Sequence, residues 1–148
     1  MKETLRLFVL ICILGFWLGG LTFYAAVVVP IANRVLGSGE QGLVTQEVTN
    51  WLNLIGVGVL VVVLADTWFA RTRGLLIMWL VLAFSQVALF VIHRQLDALI
   101  AATIPGNPAM LDFRQIHERY LIVVTVQWVA GLTLVWCVAS HSINRTRQ

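Results

Sequence analysis

The chain has 148 residues, of which 59% are hydrophobic and only 11% are charged, and its mean hydropathy is +0.88. Soluble domains carry about 25% charged residues, so this composition excludes a soluble globular domain, a disordered chain and a nucleic-acid-binding domain. One membrane-spanning helix needs about 20 apolar residues, so four spans and their connections use up the whole length. The net charge of +3 therefore indicates membrane orientation rather than nucleic-acid affinity.

Four apolar runs predict four transmembrane helices within one integral membrane domain that covers residues 1–148. The predicted spans are 7–29, 51–70, 74–92 and 120–140. The first run is longer than the apolar region of a secretory signal, so we expect it to stay in place as an uncleaved helix. A Gly-Ser-Gly sequence at 37–39 predicts a break after this helix, and the next helix is expected to start near Gln41.

The connection between the third and fourth spans contains Pro105 and Pro108, which predict a turn. Apolar residues continue at helical spacing on both sides of it, as far as about Thr103 before the turn and from Met110 after it. We therefore expect helices three and four to form a long hairpin that protrudes on the outer side. The predicted fold class is all-α, a four-helix transmembrane bundle.

The distribution of lysine and arginine predicts the orientation of this bundle. The end that holds both termini carries six of these residues, and the opposite end carries four. The six are Lys2, Arg6, Arg71, Arg73, Arg145 and Arg147. Because basic flanks are retained in the cytoplasm, both termini are expected to be cytoplasmic, in a multi-pass protein of the bacterial inner membrane.

Gly15 and Gly19 form a GxxxG pair on the first helix, and Thr22 and Ala26 extend it into a stripe of small residues. Small residues let helix backbones approach closely in lipid. One interpretation is that the stripe is a dimer face. The other, which we favour because four spans already provide partners, is packing against a neighbouring helix of the same bundle.

Gln86 and Gln127 each lie three residues outward of the middle of the third and fourth spans. Counting along the two antiparallel helices puts both at one level, with Thr22 close to it. An amide buried in lipid needs a hydrogen-bond partner. We predict a polar seam of these three residues that holds the helices together, with a polar step in a substrate path as the alternative.

His93 and His117 are expected at the outer end of the same two helices. Such a pair is a candidate metal site, or a pair of axial ligands for haem. The sequence contains no HExxH, CxxCH or Cys–His cluster that would identify either group, so the cofactor stays unknown. The alternative is that both histidines form hydrogen bonds with backbone or carboxylate groups.

Asp66 is the one acidic residue inside a predicted span, near its cytoplasmic end. We expect an ion pair with Arg73, Arg6 or Arg145, because a relay for protons or cations needs several acids along the membrane. There is no Ser-His-Asp set, phosphate-binding loop or pair of carboxylates of the kind that catalysis uses. The sequence therefore predicts that the protein is not an enzyme.

Two segments together resemble a known family. The first helix reads FWLGGLTFY at 16–24, followed by Val29 and Pro30, and the fourth opens with FRQIH at 113–117, followed by Tyr120 and Gln127. This pattern resembles the bacterial four-span membrane proteins of unknown function that are related to the eukaryotic transmembrane protein linked with cisplatin resistance. The resemblance implies a small multi-pass protein without an established catalytic activity, and His117 would match the helix-four histidine of the family.

The sequence departs from that family after this histidine. Where polar Ser or Asn residues would be expected, it has Tyr120, Val123 and Val124. We therefore do not expect this chain to carry the polar site of that family, in the form the family has it, after His117.

These observations predict a structural or accessory subunit that acts through helix packing. Its partners would be the lipid bilayer and either further copies of itself or a larger membrane complex, and not nucleic acid. The alternatives are a small transporter or metal-handling protein that uses the outer histidines, and a haem-carrying electron-transfer protein.

Overall fold

The computed structural model describes the backbone of residues 2–70, 73–102 and 109–145, and the side chains within 4–36, 41–68, 73–99 and 114–140. All of this backbone is helical. The elements are α1 (Lys2–Phe23), a π-helical segment (Tyr24–Val28), α2 (Val29–Ala70), α3 (Arg73–Ala102) and α4 (Ala109–Arg145). The predicted turn at 105–108 lies outside the described residues.

Four helical segments are long and apolar enough to cross a membrane. They are Thr4–Leu36, Gln41–Trp68, Arg73–Leu99 and Arg114–Ser140. Each segment matches one predicted span and extends beyond that span on at least one side. The second segment ends two residues before its predicted span does. The prediction of an all-α bundle of four transmembrane helices is therefore confirmed, and the chain is a small multi-pass membrane protein.

The break in the helix that the sequence predicts at 37–39 is wrong. The first two of these segments nevertheless run antiparallel. Helical hydrogen bonding continues through 37–39 as part of α2. The chain reverses, since the Tyr24 hydroxyl donates to the Thr45 carbonyl over 3.4 Å and Arg6 contacts Asp66. The midpoints of these two pairs lie between residues 34 and 37. Glycine and serine permit sharp bends in a helix, so the sequence at 37–39 bends the chain without ending the helix.

The π-helical segment Tyr24–Val28 was not predicted from the sequence. Pro30 follows it closely and explains it. Proline lacks the N–H that would bond to the carbonyl four residues earlier, and its ring crowds that carbonyl. A single wide π turn relieves this conflict while the helix continues.

Between the level of Gln86 and Gln127 and the end of the bundle that holds both chain termini, the core is mainly apolar. The α1 face that turns inward carries bulky residues, and each of the other helices adds aliphatic side chains to it. The buried set is Leu10, Leu14, Trp17, Leu18, Val59, Leu60, Val63, Leu82, Ala130, Leu134 and Val138. The helices contact one another in the ring order α1, α2, α3, α4, and α4 returns to α1, with α3 and α4 as the most extensive pair.

Candidate functional site

Three buried amide side chains join α2, α3 and α4 at one level of the bundle. The Gln127 Nε2 donates to the Gln86 Oε1 over 2.8 Å, which is the contact that the sequence predicts. The Gln86 Nε2 in turn faces Asn53, 3.3 Å from its Oδ1 and 3.4 Å from its backbone carbonyl. We call these three residues the glutamine layer. All are at most 5% exposed, so the layer is a continuous polar contact between three helices in the interior of the bundle.

Gly56 makes room for this layer. A Cβ atom added at Gly56 would lie 2.6 Å from the Gln86 Oε1 and 3.2 Å from the Trp17 Nε1. Real Cβ atoms do not approach other atoms to 2.6 Å. The absence of a side chain at this position is therefore what allows the Gln86 amide and the Trp17 indole to meet α2 so closely.

The expectation that Thr22 joins the glutamines is wrong. Its hydroxyl donates to the Leu18 carbonyl over 2.8 Å and accepts a hydrogen bond from the Trp128 Nε1 over 2.9 Å. Thr22 lies on the exposed face of α1, whereas the glutamines face the interior. It therefore connects α1 with α4 at the surface of the bundle.

A second polar group continues from the glutamine layer towards the α3–α4 connection. The His93 Nε2 lies 3.6 Å from the Asp97 Oδ2, one turn further along α3. The His93 ring also lies against the Tyr120 ring of α4, with a centroid distance of 6.4 Å. The Tyr120 hydroxyl faces the side chains of Thr49 and Asn53 on α2. We call His93, Asp97, Tyr120 and Thr49 the histidine cluster.

His117 lies one helical turn before Tyr120 on α4 and is half-buried. His93 faces Asp97 and Tyr120, and its contact with Asp97 agrees with the alternative in which a histidine pairs with a carboxylate. Within the residues whose side chains are described, no three His, Cys, Asp or Glu groups come together in a way that could hold a metal ion. The metal and haem hypotheses for His93 and His117 stay predictions from the sequence.

Asp66 forms an ion pair with one of the three arginines proposed for it. The Arg6 Nε donates to the Asp66 Oδ1 over 2.5 Å, and the Arg6 Nη2 reaches the Asp66 carbonyl over 3.4 Å. This pair joins α1 to the last turns of α2, at the end of the bundle opposite to the histidine cluster. The side chain of Arg145, another candidate, lies outside the described residues.

The two glycines of the small-residue stripe on α1 do not pack inside the bundle, so the interpretation that we favoured from the sequence is wrong for them, whereas Thr22 contacts α4 through Trp128. Gly15, Gly19, Thr22 and Ala26 are all exposed, and a Cβ atom added at either glycine would meet nothing within 4 Å. The physical reason is that the bulky residues on the other side of α1 bury far more apolar surface. We call these four residues the open glycine face.

Asn53, Thr49 and Tyr120 were missed as members of a polar site. Asn53 is a single amide in a long apolar run, and the sequence places it on no particular face of α2. A usable signal was nevertheless present, since a lone amide inside a span must find a partner. Tyr120 was visible only as a departure from the family pattern.

The fold and these contacts define the class of the protein, a four-helix membrane bundle with a buried polar layer and exposed glycines on α1. No family model, curated protein or solved structure matches the chain.

Proposed function

We propose that this protein is a structural or accessory subunit of the bacterial inner membrane that works by packing α1 against a second copy of the chain. The observation that supports the proposal is the open glycine face, where a Cβ atom added at Gly15 or Gly19 would meet nothing within 4 Å, while Trp128 of α4 contacts only its Thr22 end among the described hydrogen bonds. In lipid, association relies on close backbone approach, and surfaces of small residues are where it occurs. This role requires no catalytic residue.

A second copy is the partner that best fits the chemistry of this face. It contains no charged side chain, so it offers no electrostatic selection for a different protein. GxxxG pairs associate with identical pairs, and a two-fold dimer places the same patch on both sides of its interface. Phe16 projects beside the glycines with 75% of its surface exposed, and could cover the edge of such a contact.

The resemblance noted in the sequence is in keeping with this role, and we include membership of that four-span family in the proposal. The family has no established catalytic activity. The basic residues at the end with both termini support a cytoplasmic location for them. The transporter, metal-handling and haem alternatives have no specific observation in their favour, and an absorption spectrum together with metal analysis of the purified protein would test the last two.

The proposal is tested by co-expressing two copies with different affinity tags and purifying one of them in a mild detergent. We expect the second copy to co-purify, and native mass spectrometry to give the mass of a dimer. Gly19→Ile should reduce the co-purified fraction at least about fivefold, because loss of about 1 kcal/mol of packing is a factor of about five.

Gly74→Ile is the matched control. Gly74 is also exposed, also has nothing within 4 Å of an added Cβ atom, and lies on α3, whereas Gly58 would be unsuitable because it lines one groove with Cys12 and Phe16. Gly74→Ile should leave co-purification unchanged. Equal effects of the two substitutions, or a wild-type protein that is monomeric in detergent and in membranes, would contradict the proposal.

A further inference from the structure

The polar groups between the glutamine layer and Asp97 are not explained by helix packing alone. On α3 they extend from Gln86 to Asp97, which is about 16 Å along the helix axis. Neighbouring residues of α2 and α4 face this column from both sides. The proposed dimer face on α1 uses none of them, so the column needs an explanation of its own.

Within the part of the chain whose side chains are described, three buried atoms in this column make no hydrogen bond of normal geometry, although the Tyr120 hydroxyl faces the Asn53 side chain. They are the Asn53 Nδ2, the His93 Nε2 and the Asp97 Oδ1. Asn53 is 5% exposed and His93 is 6% exposed, so neither reaches bulk solvent. Polar atoms that are buried in this way normally bond to protein or to ordered water. Because all three lie along the same column, they indicate small ligands bound along it and not three unrelated defects.

The distance between His93 and Asp97 points to the same ligand. Their closest atoms are 3.6 Å apart, beyond a direct hydrogen bond, and a separation of this kind is typical of a bridging water. The column offers both kinds of group, because the Asn53 amide donates and the Asp97 carboxylate accepts. A ligand that both donates and accepts, and that is small enough for a packed helix bundle, fits these atoms.

We propose that the column is a hydration site, in which internal water binds to Asn53, His93 and Asp97 and enters from the end of the bundle that holds Asp97. The Asp97 side chain is 28% exposed, which gives the water a route to solvent. The glutamine layer closes the other end, because the Gln127 amide is already bonded to Gln86. Beyond that layer the buried residues are mostly apolar, among them Leu14 and Leu82, and the buried hydroxyls of Thr67 and Ser85 already donate to backbone carbonyls of their own helices. Water therefore reaches about half-way through the bundle and stops.

The test is transfer of magnetisation from water protons to side-chain amides, measured by NMR on the full ¹⁵N-labelled chain in lipid nanodiscs. We expect a clear water signal at the Asn53 amide, comparable with that of Asn50, which is exposed on the same helix. The Gln127 amide should give at most about a tenth of that signal, because it lies in the closed layer. The measurement uses the unmodified chain, so it does not depend on a variant that folds.

A dry Asn53 amide would overturn the hydration site. A Gln127 amide as wet as that of Asn53 would overturn the closure at the glutamine layer and show that water passes further into the bundle. As a second measurement, Leu82→Asn places an amide on the apolar side of the layer, and its signal should stay dry while that of Asn53 stays wet.

Discussion

Gly56 is a position at which the packing of this bundle leaves no room for a methyl group. A methyl group at this site would lie 2.6 Å from the Gln86 Oε1 and 3.2 to 3.3 Å from two atoms of the Trp17 indole. The indole is rigid and 2% exposed, so it has little room to move. The Gln86 amide can move, but it then loses its short hydrogen bond with Gln127.

The expected magnitude follows from these contacts. Overfilling a packed core destabilises by about 1–3 kcal/mol. A lost hydrogen bond between transmembrane helices adds about 0.6–1.7 kcal/mol. The higher helix propensity of alanine returns at most about 1 kcal/mol, a value measured in water. We therefore expect Gly56→Ala to lower the free energy of unfolding by about 1–3 kcal/mol.

The assay is reversible unfolding by SDS in mixed lipid–detergent micelles. Gly58→Ala is the matched control, two residues along the same helix, because a methyl group there would meet nothing within 4 Å. It should be neutral or stabilising by up to about 1 kcal/mol. If both substitutions change stability by the same amount, the close approach of Gln86 and Trp17 to Gly56 is not present in the protein.

Three further predictions concern the polar contacts and the topology. The double variant Gln86→Leu/Gln127→Leu should lose less stability in the same assay than the sum of the two single variants, because each single change leaves one amide unpaired at a cost of about 1 kcal/mol. Strictly additive effects would show that the two glutamines do not meet. Asp66→Asn should lower the free energy of unfolding by about 0.5–1 kcal/mol in the wild-type chain and should have no further effect in a chain that already carries Arg6→Gln. An equal effect in both chains would contradict the ion pair. A reporter fused after Asn107 should be external, and a cytoplasmic result would reverse the predicted orientation.

The four helices and the contact between the two glutamines could be predicted, because both follow from counting residues along the apolar runs. Apolar runs long enough to span lipid have few alternatives to a helix. Antiparallel helices that are joined by a short connection have a fixed register, which is why Gln86 and Gln127 were expected at one level. The same counting gave the end of the bundle at which Asp66 would meet an arginine, although it did not select Arg6 among three candidates.

The direction in which each helix face points could not be predicted in the same way. In lipid both faces of a helix are apolar, so hydropathy does not separate the interior face from the exposed one. The stripe at Gly15 and Gly19 was therefore assigned to the interior, whereas Leu14 and Trp17 occupy that side. Asn53 was missed for the same reason, and the π-helical segment was missed because Pro30 allows several kinds of distortion.

The pairing of α1 with a second copy is tested most directly by oxidative cross-linking of Cys12 in native membranes. Cys12 is exposed on α1, one turn from Gly15 and two turns from Gly19, and Cys137 is half-buried on α4. A dimer with Gly15 and Gly19 at its centre places the two copies of Cys12 near each other. We expect a covalent dimer that persists in Cys137→Ser and disappears in Cys12→Ser and in Gly19→Ile. A dimer that depends on Cys137, or the absence of any cross-link at Cys12, would contradict the proposed role of the open glycine face.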